Sequence, residues 1–274
     1  MDPRELIKTG KLGEARKQLT EELKGSPGDL GRRTLLFQVL SFCGEWDKAE
    51  RHLETISTQD PTRETGVSVY RDMIRAEKER LDVRRRNRQA SFLPEPPPYR
   101  KFHDEAWQKL AAGEIAQATE LFEEVEAQRP MVSGTVNGQE FTGVSDTDSL
   151  LFPFLEAFVH ERYVLVPFES IRELVISPPT TLFDLLWVPA LVTTWEGLTM
   201  NCHLPVLYPE SFLHEDDRVK LGRVTDWASL GGGPLAKGMG QHVFRVGNED
   251  IALLEIREAL FKRPDGGVSG EKSN

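Results

Sequence analysis

The 274-residue sequence has few cysteines and no long apolar run. Its two cysteines, Cys43 and Cys202, exclude a disulfide-stapled scaffold and fit a reducing compartment. No stretch approaches the roughly 18 apolar residues that a membrane helix needs. The first residues lack the apolar segment of a signal peptide, so we expect a cytoplasmic protein with no membrane contact.

Basic residues are also fewer than acidic residues. The chain has 34 Lys and Arg residues against 44 Asp and Glu residues, and its net charge at pH 7 is -10. Because an acidic surface repels phosphate backbones, general nucleic-acid binding is excluded as a function class. The length is enough for one or two domains with a substantial core.

A pattern of four residues recurs three times in the first 130 residues. An apolar residue follows a glycine by two positions, an alanine follows three later, and a proline ends the pattern. The copies are Gly10, Leu12, Ala15 and Pro27; Gly44, Trp46, Ala49 and Pro61; and Gly113, Ile115, Ala118 and Pro130. The first two copies are offset by 34 residues, the period of tetratricopeptide repeats.

The spacing predicts helical hairpins. Glycine suits the tight turn, the small alanine allows close helix packing, and proline cannot continue the second helix. Residues 62–93 form a single predicted helix, stopped by Pro94 and the prolines at 96–98. We therefore expect a tetratricopeptide-like helical domain over residues 1–130.

The second half of the sequence has a different pattern of apolar residues. Apolar runs broken by proline and glycine at 163–167, 173–176, 182–191, 198–207 and 243–246 predict short strands. Residues 150–159 favour a helix, and 251–261 fit either a helix or a strand. We expect an α+β protein whose β-rich mixed domain covers residues 131–262, followed by a disordered tail at 263–274.

No catalytic or metal-binding motif is present. A Gly-x-Ser-x-Gly elbow is missing, and the glycine-rich stretch 231–240 precedes a predicted strand instead of the helix that a phosphate loop needs. Residues 214–217 (His-Glu-Asp-Asp) lack the spacing of a metal site. Asp146 and Asp148 fit helix capping better than acid–base catalysis. We expect no enzymatic activity, no cofactor and no metal.

Partner binding is the favoured function class. The concave groove of a helical array commonly takes up a partner helix. Four aromatic side chains are candidates to line such a groove, although each could equally belong to the core: Phe37, Phe42, Tyr70 and Trp107. Arg84 and Arg85, in an arginine-rich stretch over residues 71–88, are candidate contacts for an acidic partner. Interspersed acidic residues also allow pairing within the helix.

An alternative from another class is a hydrolase or small-ligand-binding domain in residues 131–262. It requires the 231–240 loop, Asp146, Asp148 and residues 214–217 to converge on one pocket.

Four linked strings resemble the ImpE family of type VI secretion accessory proteins, also called TagJ or SciE-type proteins. They are Glu-x6-Tyr-Val-Leu-Val-Pro-Phe-Glu-Ser-Ile at 156–171, Asp-Leu-Leu-Trp-Val-Pro-Ala at 184–190, Leu-Pro-Val-Leu-Tyr-Pro at 204–209, and Arg-Val-Lys-Leu-Gly-Arg-Val-Thr-Asp-Trp at 218–227. The family tends to have a tryptophan in the first string, where this chain has Leu165. With the helical repeats, the resemblance covers nearly the whole chain.

The resemblance implies a cytoplasmic adaptor and supplies no catalytic residues. Its implied partners are a helix of the small sheath subunit of the contractile tail and the ClpV-type AAA+ ATPase that disassembles contracted sheath. The surface that holds the helix and the oligomeric state do not follow from the sequence.

Overall fold

The computed structural model describes residues 2–264, and its α+β class confirms the prediction. The first half of this range is mainly helical, and the second half is built mainly of strands. The helices are α1 (Pro3–Lys8), α2 (Leu12–Gly25), α3 (Leu30–Phe42), α4 (Trp46–Gln59), α5 (Glu64–Arg84), α6 (Arg100–Ala111), α7 (Ile115–Gln128) and α8 (Asp217–Lys220). None of them is long and apolar enough to cross a membrane.

The three repeat copies have the same local geometry. The second helix of each begins at the pattern's apolar residue and contains 14 residues: α2, α4 and α7. The turn glycines Gly10, Gly44 and Gly113 have φ values of 77°, 68° and 78°, in the left-handed region that favours glycine. The three pattern alanines are fully buried, at 0% exposure. The sequence pattern therefore identified three equivalent helical hairpins: α1–α2, α3–α4 and α6–α7.

The predicted helix over residues 62–93 is too long. Helix α5 ends at Arg84 because Arg86 adopts a φ of 63°, where the amide N–H groups of Arg86 and Asn87 donate to the carbonyls of Val83 and Asp82. This pattern is a Schellman helix end, which satisfies the last carbonyl groups of the helix. The chain then continues into a short strand instead of a further helical turn.

Fourteen strands lie within the described range. They are β1 (Ser91–Phe92), β2 (Ser133–Val136), β3 (Gln139–Thr142), β4 (Val144–Asp146), β5 (Phe154–Val159), β6 (Arg162–Pro167), β7 (Ile171–Ile176), β8 (Trp187–Thr194), β9 (Thr199–Pro205), β10 (Asp226–Ser229), β11 (Ala236–Met239), β12 (Val243–Val246), β13 (Glu249–Ala252) and β14 (Glu258–Lys262). Nine form one sheet in the order β1-β6-β5-β9-β8-β7-β14-β2-β3. Only β1 and β6 pair in parallel within that sheet.

Most predicted strands of the second half are confirmed, but the helix expected at residues 150–159 is wrong. Residues 154–159 form the interior strand β5, which is buried on both faces. A strand buried on both faces is apolar without interruption, so its pattern resembles that of a short buried helix. Residues 251–261 contain parts of β13 and β14 joined by a single 3-10 turn.

Helices and sheet share one hydrophobic core. Phe37 of α3 and Tyr70 of α5 pack on Phe183, which precedes β8, with ring centroids 4.7 and 4.2 Å apart. The division into domains at residue 130 stays a prediction, since β1 from the helical half already pairs with the sheet. Of the predicted tail at 263–274, all but the first two residues lie outside the described range.

The turns of the helical hairpins meet the segment between β9 and β11. The ring of Phe212 packs on Gly44, where a Cβ atom would lie 2.4 Å from it. Asp217 accepts a hydrogen bond from the Gly13 amide (3.0 Å), and Ile115 of α7 packs on Gly231. This segment, which includes the start of the glycine-rich stretch, therefore serves as a packing surface for the hairpin turns.

Candidate functional site: a buried charge network and two surface grooves

A network of charged side chains joins α5 to the sheet inside the protein. Arg80 of α5, 2% exposed, donates from Nε to Glu156 Oε1 on β5 (2.9 Å) and from Nη1 to Glu77 Oε1 (3.2 Å). Its Nη2 donates to Glu156 Oε2 and to the carbonyl oxygen of Leu207 (2.8 Å). Glu156 also accepts from the hydroxyl group of Tyr163 (2.6 Å). Each of the three nitrogen atoms of this guanidinium therefore donates to an acceptor inside the protein.

His242 extends the network to a second carboxylate. Its Nδ1 lies 2.7 Å from Asp146 Oδ2, and its Nε2 lies 3.0 Å from Glu156 Oε2. Arg80 Nη2 also lies 3.2 Å from this Nε2, but both Nη2 hydrogens are already donated. His242 Nε2 therefore carries a proton and donates it to Glu156. Because Nδ1 also donates, to the carboxylate of Asp146, the ring is an imidazolium.

The environment changes the pKa of each member of the network. Burial alone would raise the pKa of Glu156, but the charge and hydrogen bonds of Arg80 hold it well below its usual range. Burial alone would lower the pKa of His242, but the carboxylates of Asp146 and Glu156 raise it to about 9. Burial raises the pKa of Glu77 and of Asp146 itself. Perturbed groups of this kind mark either an active site or a structural ion network.

The space available for a substrate beside the network distinguishes an active site from a structural ion network. The network borders a cavity of 20 Å³, lined by Glu77, Arg80 and Tyr208 among others. This space holds about one water molecule, whereas small-molecule sites occupy roughly 300–1,000 Å³. The network is therefore a structural connection between α5 and the sheet.

Among residues 2–264, those proposed for a hydrolase line neither of the two grooves described below nor the cavity beside the network. Asp146 belongs to the buried network, where it accepts from Tyr208 (2.7 Å), and its expected role as a helix cap is wrong. Asp148 is also buried; it pairs with Arg84 (3.2 Å) and accepts from the Gly238 amide. His214 lies near the surface, 3.4 Å from Asp226. The grooves and cavity described here contain none of these carboxylates, and residues 2–264 contain no cluster suited to a metal ion.

The predicted partner-binding residues fall into different environments. Phe37 and Phe42 are 1% exposed and belong to the core, because α3 is buried over most of its surface. Tyr70 is half-buried against Phe183. Arg85 is half-exposed and pairs with Glu210 (3.0 Å). Trp107, with Arg84 stacked 5.9 Å from its ring centroid, lines a surface groove together with Arg86 and Arg88.

The Trp107 groove has a volume of 270 Å³ and lies between the end of α5, strand β1 and α6. Its floor consists of mostly buried, mainly apolar side chains: Val83, Ala90, Phe92, His103, Trp107 and Leu165. Its rim is polar and consists of Arg86, Asn87, Arg88, Gln89, Asp104 and Gln108. An apolar floor within a polar rim is the usual composition of a protein-binding surface.

The Trp46 groove, of 560 Å³, lies on a different face of α5. Trp46 and Leu81 are its apolar side chains, and charged residues of α4 and α5 surround them. Lys48 pairs with Glu45, and Lys78 pairs with Asp47 (2.8 Å). Most of its charges are thus neutralised within the groove.

The buried network and most of the Trp107 groove are not predicted by the sequence pattern. A usable signal was Glu156, a single charged residue in the apolar run 154–159. A charge inside a buried strand needs a partner of opposite sign. The groove gave no such signal, because its walls come from residues 83–108 and from Leu165 of β6.

Arg86 has an unusual backbone for its residue type. Its φ of 63° at the end of α5 is the position that helices usually give to glycine. We expect Arg86→Gly to raise the free energy of unfolding by about 0.5–1 kcal/mol, because relief of the left-handed strain exceeds the entropy gained by the unfolded chain. Urea unfolding measures the change. Arg85→Gly, one residue earlier at a φ of -87°, is the matched control and should destabilise the protein.

The helical hairpins and the sheet thus carry open grooves on the surface and enclose the network of charged side chains. The model of the ImpE protein family matches residues 138–260. The chain is also 31% identical to the type VI secretion system accessory component TagJ of Pseudomonas aeruginosa, over 95% of this chain and 91% of that protein. The chain belongs to the ImpE family, and the resemblance stated from its sequence is confirmed.

A solved structure has the same fold. The crystal structure of protein VPA1032 from Vibrio parahaemolyticus superposes with a TM-score of 0.85 and 26% sequence identity. The match covers 95% of this chain and 97% of that one, so it includes both the helical hairpins and the sheet.

Proposed function

We propose that this protein is a non-enzymatic, cytoplasmic adaptor of a bacterial type VI secretion system. It captures a helix of the small sheath subunit and links the sheath to its ClpV-type disassembly ATPase. Family membership supports the secretion-system role, and the Trp107 groove is the observation that favours capture of a helix. We further propose that the three helical hairpins are tetratricopeptide-like units.

The Trp107 groove suits the anchor side chains of an amphipathic helix. Its floor presents the aromatic faces of Trp107 and Phe92, each with an arginine stacked against it: Arg84 at 5.9 Å and Arg100 at 5.1 Å. These stacked arginines hold the rings in place before a partner arrives, which lowers the entropic cost of binding. Burial of a few large apolar side chains at ~1.5–3 kcal/mol each is enough for micromolar affinity.

The Trp46 groove leaves a separate surface for a second protein. It involves Lys78, Leu81, Asp82 and Arg85 of α5, whereas the Trp107 groove uses Val83 on another face of the same helix. The two grooves share no lining residue, so we assign each to its own partner, as a link between sheath and ATPase requires.

A peptide titration tests helix capture. A fluorescently labelled N-terminal helix of the cognate small sheath subunit is titrated with the full-length protein. We expect saturable micromolar binding and a loss of at least about tenfold in affinity for Trp107→Ala, since central aromatic anchors carry most of the energy of such interfaces.

Trp227→Ala is the matched control, because Trp227 is 44% exposed and lies outside the groove. Its affinity should equal that of the unmodified protein. Circular dichroism confirms that each variant is folded. No binding of the helix to the folded full-length protein at up to about millimolar concentration would overturn helix capture.

A further inference from the structure

We infer that the Trp107 groove selects a helix whose apolar anchors are flanked by acidic side chains, and that Arg86 is its specificity-determining residue. The inference rests on the proposed function and names the chemistry of the partner at the same site.

The groove carries positive charge in a protein that is otherwise acidic. Residues 84–101 contain six basic residues and one acidic residue, against a net charge of -10 for the whole chain. This segment supplies much of the groove, from Arg86 at the rim to Phe92 on the floor. The local field therefore attracts an acidic segment and repels a basic one, as complementary potentials do at protein interfaces.

Most basic side chains of this segment are already committed to partners in the protein. Four form ion pairs: Arg84 with Asp148, Arg85 with Glu210, Arg88 with Glu79, and Arg100 with Asp104. Within residues 2–264, Arg86 and Lys101 have no ion-pair partner, and only Arg86 lines the groove. The sole acidic side chain of the rim, Asp104, is the one neutralised by Arg100. Arg86 is therefore the rim charge available to an incoming carboxylate.

Two side-chain amide groups near Arg86 strengthen the preference of the groove for a carboxylate. Asn87 and Gln89 belong to the same rim, are exposed, and carry N–H groups that can donate to a carboxylate. In the Trp46 groove, Lys48 and Lys78 are paired with carboxylates of the groove itself, and the charge of Arg51 is offset by Asp82, which lines the same groove. Charge selection is thus a property of the Trp107 groove.

The backbone of Arg86 gives the test a variant that keeps the fold. At a φ of 63°, glycine fits better than arginine, so Arg86→Gly removes the charge without a cavity or a strained turn. Lys17→Gln is the matched control, since Lys17 is exposed on α2 and has no ion-pair partner among residues 2–264.

The experiment compares three versions of the cognate sheath helix: the natural peptide, one with every Asp and Glu changed to Asn and Gln, and one with them changed to Lys. Each is titrated against the full-length protein and its Arg86→Gly, Arg86→Glu and Lys17→Gln variants. Titrations are run at about 50 mM and about 500 mM salt, because high salt screens exposed charges.

For the unmodified protein at low salt, we expect the neutral peptide to bind about tenfold more weakly than the natural one, and the lysine peptide more weakly still. High salt should reduce this discrimination. Arg86→Gly should lower the ratio of the affinities for the natural and neutral peptides at least threefold. Arg86→Glu should bind the lysine peptide more tightly than the natural one. Lys17→Gln should behave as the unmodified protein.

Failure of this inference is distinguishable from failure of the proposed function. Charge selection is overturned if the natural and neutral peptides bind equally, or if Arg86→Gly leaves the difference in affinity between them unchanged. Helix capture still stands in that case if binding depends on Trp107. A cognate helix without acidic residues also overturns charge selection. If no peptide binds the folded protein, the proposed function fails first.

Discussion

Glu156→Gln is expected to lower the free energy of unfolding by ~3–5 kcal/mol, because it leaves Arg80 and His242 buried without the carboxylate between them. Both cations are at most 3% exposed, so water cannot replace the lost partner. The side chains of Glu and Gln are nearly equal in size, and the effect therefore reports charge and not packing. Urea unfolding followed by circular dichroism measures it.

Glu161→Gln supplies the matched control. Glu161 pairs with Arg75 at 3.5 Å, but both side chains are more than half exposed, and such pairs contribute ~0–1 kcal/mol. The double variant Arg80→Met/Glu156→Gln should lose less stability than the sum of its two single variants, because contacting charges are not additive. A loss below about 1 kcal/mol for Glu156→Gln would contradict the structural role of the network.

Local regularities of the sequence predict the helical half well. The Gly–apolar–Ala–Pro spacing places the starts of α2, α4 and α7 at Leu12, Trp46 and Ile115, because each element of the pattern acts within its own hairpin. Tight turns and helix ends depend on residues a few positions apart, so a single sequence carries that information.

The network and the groove depend on contacts that no local pattern contains. Arg80 and Glu156 are 76 residues apart, and Arg80 and His242 are 162 apart. Pairing within the helix was an open alternative for the arginine-rich stretch, and Arg80 does pair with Glu77 at i,i+3. Its stronger partner is Glu156 of β5, because α5 packs on the neighbouring strand β6 and both side chains of the pair are buried. Phe42 is ambiguous in the sequence for the same reason, because its neighbours Leu186 and Leu207 come from distant parts of the chain.

A second large effect is expected from pH. His242 has a pKa of about 9 in the folded protein, above the ordinary value of 6.5 that applies after unfolding. Its contribution to stability is therefore complete below pH 6.5 and is lost as the pH rises through 9. The pKa difference corresponds to ~3 kcal/mol. We expect the free energy of unfolding to fall by about this amount between pH 6 and pH 10 through His242 alone.

Comparison with His242→Gln isolates this contribution from lysine and tyrosine groups that titrate in the same range. The variant is less stable at pH 6, but the stability difference from the unmodified protein should shrink by ~3 kcal/mol by pH 10. An NMR titration gives an independent check, since the imidazole protons of His242 should stay at their protonated shifts past pH 8. A constant difference between the two proteins across this range, or deprotonation near pH 6.5, would show that His242 is neutral in the folded state and that Asp146 and Glu156 do not hold it as an imidazolium.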